Sequence, residues 1–130
     1  MVSGLPRVAD CPQLSVDVPD DLVRRTERHT EGISFPVSVG VIWSNERGTR
    51  VVNVSSAASD EEFGDGADVE PATRAVQGTT GVEIVVNGVH RVVWRQAEAT
   101  PPCTYWTVVA QGLSATELDT VLATVREPAP

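Results

Sequence analysis

Glu83 and His90 are the side chains whose spacing best suits acid–base chemistry in this 130-residue chain. They stand either side of Asn87-Gly88 in GVEIVVNGVHRVVW. Asn-Gly between two apolar runs demands a two-residue type I′ turn, because both turn positions take positive φ. That turn sets Val86 opposite Val89, Val85 opposite His90, Ile84 opposite Arg91 and Glu83 opposite Val92. Glu83 and His90 then share a face as diagonal neighbours, within reach of a general acid–base pairing. A surface histidine on a hairpin is the plainer reading. The chain has two histidines, His29 and His90, and no Ser or Cys sits in a recognisable nucleophile motif. The residues therefore argue against an enzyme.

Other candidate groups are weaker still. Cys11, Cys103, His29 and His90 total four ligand types for zinc, but their spacings match no zinc signature. Asp60, Glu61, Glu62, Asp65, Asp68 and Glu70 crowd into AASDEEFGDGADVE at 57–70. Calcium favours such oxygens, yet the EF-hand register fails: counting from Asp60, the sixth position is Asp65 where glycine is required. This segment reads as a solvated acidic loop and as a surface for a basic partner. Trp43, Trp94, Tyr105 and Trp106 are candidates for a ligand or partner groove, although aromatic residues in a small domain more often build the core. Neither a metal nor another cofactor is implied.

Charge and composition narrow the partners. The net charge is −8, and phosphate backbones call for clustered Lys or Arg. The longest basic run is Arg24-Arg25, so nucleic acid is excluded as a partner. An unknown protein or a small apolar ligand remains. All ten basic residues are Arg, a composition typical of GC-rich genomes such as those of actinobacteria. No apolar run approaches the roughly 20 residues that span a bilayer, and Met1 opens neither a charged n-region nor an apolar h-region of a signal peptide. Asp10 before Cys11 argues against lipidation there. Two cysteines fit one Cys11–Cys103 disulfide in an exported domain, or two thiols in a cytoplasmic one.

The elements that must position these groups follow from periodicity. The length suits a single domain spanning 1–130, with 1–10 as a loose lead-in. Residues 13–18 alternate as a short strand or extended arm. Pro19-Asp20-Asp21 looks like the entry to a short helix running to about Arg28, its acidic first turn facing the positive helix end. Residues 35–45 and 50–56 form a first hairpin around Glu46-Arg47-Gly48, with Val52 and Val54 on one face. Residues 71–77 fit a short helix or a strand. Val82–Val86 and 89–96 form the Asn-Gly hairpin, apolar on both faces and therefore in need of cover on both sides. Residues 97–103 read as a loop stiffened by Pro101-Pro102, and 104–111 as a further strand. Residues 113–125 are the best-specified helix: Ser114 and Glu117 form a capping box, Leu113 staples onto Leu118, and Leu118, Val121, Leu122 and Val125 make one apolar stripe. The expectation is an α+β domain: a curved antiparallel sheet of five or six strands, a C-terminal helix on one face and a short N-terminal helix.

The pattern V-x-V-x-G at 82–88, Val92-Val93-Trp94, Tyr105-Trp106 and Gly112-Leu113-Ser114 with Glu117-Leu118 resembles the DUF4367 family. The resemblance covers about residues 81–126. It implies a domain outside the membrane, as in bacterial lipoproteins and anti-sigma regulators, with no catalytic residues to carry over. The Pro-Pro-Cys insertion before Tyr105 departs from the family pattern. Together these readings favour a non-enzymatic binding, regulatory or sensory domain, extracytoplasmic if the cysteines pair. The alternative is a compact acidic interaction protein of immunity or inhibitor type.

Overall fold

The computed structural model describes residues 14–25, 40–57, 72–100 and 103–127. Their elements are β1 (Val23–Arg25), β2 (Val41–Ser44), β3 (Val51–Ala57), β4 (Ala72–Val76), β5 (Thr79–Val86), β6 (Val89–Thr100), β7 (Cys103–Gln111) and α1 (Ala115–Ala123). The strands form one open antiparallel sheet in the order β1-β2-β3-β7-β6-β5-β4. Two meanders meet where β7 pairs with β3, from Val51 opposite Gln111 to Ala57 opposite Tyr105.

Seven strands exceed the five or six expected. One addition comes from 71–77: Ala72–Val76 is a strand hairpinned to β5 through Gln77-Gly78. The other replaces the N-terminal helix. Pro19 starts a turn closed by the Leu22 amide on its carbonyl at 3.0 Å, and Val23, Arg24 and Arg25 then pair with Ser44, Trp43 and Ile42. A stretch this short cannot repay helix nucleation, whereas an existing strand offers its residues ready partners. The 97–103 loop is also corrected. β6 continues to Thr100 through an irregularity after Arg95, and Thr100 pairs with Cys103, leaving 101–102 between the strands.

The Asn-Gly hairpin has the expected register at every pair, with Asn87 at φ 53° and Gly88 at φ 79°. In β7, Trp106, Val108 and Ala110 share a face with Val52 and Val54 of β3 and with Val92 and Trp94 of β6. Leu118, Val121, Leu122 and Val125 complete this core, and Leu14 and Leu22 join it. Residues 14–18 thus act as an extended arm, tied by Ser15 to Arg126 with bonds of 2.9 and 2.8 Å. The capping box at Ser114 and Glu117 is formed. A cap contributes about 1 kcal/mol, while each buried Leu or Val contributes about 1.5–3 kcal/mol, so the apolar stripe dominates the docking of α1.

The opposite face is withdrawn from solvent along the central strands as well. Ile42, Ser44, Val51, Asn53, Ser55, Thr107, Val109, Val93 and Ile84 are all buried. The ribbon that needed two covers is covered on both sides at Val92, Val93 and Ile84. Towards the β4 edge that cover ends, and Val82 and Val86 are exposed; Val85, on the helix-bearing face, is exposed as well.

Candidate functional site

Charged side chains on the helix-bearing face line up across three strands. The register of β4, β5 and β6 places Arg74, Glu83 and His90 on this face. His90 Nδ1 lies 3.1 Å from Glu83 Oε2. The other Glu83 oxygen is 4.0 Å from Arg74, and Arg74 also binds Asp119 of α1. The Glu83–His90 pair expected from the turn is therefore present. Glu83 thus bridges β6 and β4 through His90 and Arg74. Glu83 is largely buried, whereas Asp119 remains 65% exposed.

Beside this row an open groove of about 340 Å³ separates β4 from α1. It is lined by Ala75, Val76, Gln77, Asp119 and Ala123. Asp119 and Ala123 are one helical turn apart and so share a side of α1. Gln77 anchors the inner end. Its amide donates to the Leu122 carbonyl at 3.3 Å, and its carboxamide nitrogen, turned to the helix, reaches the carbonyls of Ala123 and Val125. Leu122 and Ala123 are in the last turn of α1, where a helix leaves its carbonyls without partners.

A second charged cluster ties the turn at Asp21, the entry to β3 at Arg50 and the start of α1 together. The Arg50 guanidinium donates to Asp21 at 2.7 and 3.1 Å, to Glu117 at 2.6 and 3.0 Å and to the Gly112 carbonyl at 3.0 Å. Asn45 positions it: the Asn45 carboxamide oxygen accepts the amides of Thr49 and Arg50. The Arg50 hydrogen bonds, with help from the Ser114 amide, hold the Glu117 carboxyl at about 2. Asp21 is lowered by the same guanidinium, and Arg50 is raised in turn. Planar bidentate pairing of this kind suits Arg specifically.

The aromatic candidates divide. Trp94 and Trp106 face each other across β6 and β7 and are buried in the core. Trp106 Nε1 donates to Glu127 at 2.6 Å. Trp43 is half-buried at the rim of the same cluster, and Tyr105 lies on the other face, also half-buried. They do not converge on one groove. Asp60, Glu61, Glu62, Asp65, Asp68, Glu70 and Cys11 lie outside the described residues, as does the Cys103 side chain. Among the described residues, no group of three or more His, Cys, Asp or Glu side chains is arranged to hold a metal, and no helix is long and apolar enough to cross a membrane.

Sequence reasoning missed Arg74, Gln77 and Asp119. Gln77-Gly78 between Ala-Thr-Arg-Ala-Val and Thr-Thr-Gly-Val was the available signal, since glycine at the second turn position marks a hairpin; Gly78 has φ 76°. Nothing local indicates that Asp119 meets Arg74 from 45 residues away. No family model, curated protein or solved structure matches the chain.

Proposed function

We propose that this domain is a non-enzymatic binding or regulatory module that recognises a protein partner. The observation that carries the reading is the open groove at the β4 end of the sheet, in a molecule whose best acid–base pair is used to tie strands together. The core position of Trp94 and Trp106 favours a protein partner over a small apolar ligand held between tryptophans. The resemblance of residues 81–126 to DUF4367 points to the same class and to a place outside the membrane.

Selection of a random peptide library on the immobilised 130-residue chain tests this. The expected result is enrichment of peptides that bind the soluble chain with a Kd of about 100 µM or tighter. Failure to enrich any such peptide overturns the reading. The net charge of −8 supports the acidic-inhibitor reading as the second candidate. Loss of binding when Asp60, Glu61 and Glu62 are neutralised, with Asp119 intact, selects that alternative. Thiol titration of the non-reduced protein tests the exported form, for which no free thiol is expected from Cys11 or Cys103.

A further inference from the structure

We propose that β4 is a docking edge for an extended polypeptide segment, which adds to the sheet as an outer strand and lays a basic side chain in the groove against Asp119. This rests on the binding reading above and names its partner chemistry and its place.

The backbone argument comes from register. Val76 and Thr79 flank the two-residue turn, so Val76, Arg74 and Ala72 turn their backbone groups inward to β5. Thr73 and Ala75 therefore direct their N–H and C=O groups away from the sheet. Natural edges are usually blunted by Lys, Pro, bulges or very short strands. In β4, among the described residues Ala72–Val76, none of these occurs, and its five pairs run without a shift. Its one charged residue, Arg74, is committed to Asp119 and Glu83. Ala72, Thr73 and Ala75 are small and exposed. At the opposite edge, β1 has three described residues, two of them Arg24 and Arg25.

The side-chain argument comes from the two faces. An added strand alternates its side chains between faces. On the helix-bearing face they meet the groove, whose carboxylate is Asp119. Glu83 is paired with both His90 and Arg74, whereas Asp119 has Arg74 and stays 65% exposed, so it is the carboxylate open to a further cation in a chain of net charge −8. That favours Arg or Lys. On the other face the segment meets Thr73 and Ala75, with Val82 and Val86, 43% and 44% exposed, on the next strand. Small apolar or β-branched side chains fit there. This is strand addition, in which backbone bonds supply affinity and alternate pockets supply specificity. A second copy of the chain suits the edge less well. A two-fold axis centred between Thr73 and Ala75 sets Arg74 against Arg74, and the two molecules carry the same net charge.

The test is a titration of the ¹⁵N-labelled chain with the blocked peptide Thr-Val-Arg-Val-Thr, followed by amide shifts and hydrogen exchange. Binding at about 1 mM or tighter, with slowed exchange at Thr73 and Ala75, is expected. Replacing the peptide's Arg by Glu should abolish it, and Asp119→Asn should weaken it about two- to fivefold. Methylating alternate peptide nitrogens should also abolish it while leaving the protein untouched; Ala75→Pro, checked for folding by tryptophan fluorescence, is the matching protein variant. Equal binding of the Glu peptide, shifts confined to residues away from β4 and α1, no binding at all, or a β4-paired dimer of the free chain overturns the proposal. If library peptides bind elsewhere on the chain, the edge fails while the binding module stands.

Discussion

The Arg50 guanidinium grips the Glu117 carboxylate with two hydrogen bonds, at 2.6 and 3.0 Å, across 67 residues of chain. Glu117 is at the same time the third helical residue and closes the capping box begun by Ser114, so one carboxylate serves both the start of α1 and the tie to Arg50 at the entry to β3. Local and long-range requirements agree at this residue.

Acid should expose that tie. Glu117 is held at about 2 against an ordinary 4.5, and Asp21 is lowered as well. Between those values the unfolded chain binds more protons than the folded one, so the stabilisation is complete above about pH 4.5. It is lost as pH falls from there towards about 2. Urea midpoints measured across this range should decline with acid, and the decline should be shallower in Glu117→Gln. An unchanged slope in that variant would place the acid sensitivity elsewhere.

The approach to α1 should tolerate no side chain at Gly112. Its φ is 77°, and a Cβ would sit 2.2 Å from the Thr49 carbonyl oxygen. Gly112→Ala should cost about 1–3 kcal/mol from the backbone conformation alone, with the clash added. Ser114→Ala, two residues on, should cost about 1 kcal/mol. Chemical denaturation of both variants gives the order directly.

Trp106 should behave as a core residue. It is 2% exposed, opposite Trp94, and bonded to Glu127. Trp106→Ala should destabilise by about 3–5 kcal/mol. Trp106→Phe should retain most of the packing and lose the indole hydrogen bond. A tryptophan serving only as a ligand platform would instead leave the thermal midpoint nearly unchanged.

Thr107 is buried, and its hydroxyl has no partner among the described residues. Thr107→Val keeps the shape and removes the unsatisfied group. The expected outcome is neutral or stabilising by about 1 kcal/mol. A clear loss of stability would reveal a hydrogen bond to bound water.

Gln77→Ala should loosen the end of α1. The backbone bond to Leu122 survives, but the carboxamide bonds to Ala123 and Val125 do not. About 0.5–1.5 kcal/mol is expected, and hydrogen exchange should quicken at Thr124 and Val125, with β7 unaffected.

The hairpin register, the Glu83–His90 pairing and the α1 cap were legible because each depends on residues a few positions apart. Asn87-Gly88 admits one turn geometry, and Ser114 with Glu117 admits one helix start. Expectation failed at 22–25, where the acidic entry after Pro19 suits a helix. There Val23, Arg24 and Arg25 follow their partner strand instead of their own preference. It failed again at 97–100, where β7 carries β6 onward past the irregularity after Arg95.

By itself the sequence determined periods, turns and caps, which are short-range consequences of backbone sterics and apolar spacing. Only the tertiary structure decided that β7 docks on β3 and that Arg50 joins Asp21 to Glu117. It alone turned Ala72–Val76 into the edge of the sheet, with Asp119 above it. These relations join residues 29 to 67 positions apart. Pairing over such distances is selected by the burial of both faces of the whole sheet, which no local window of sequence contains.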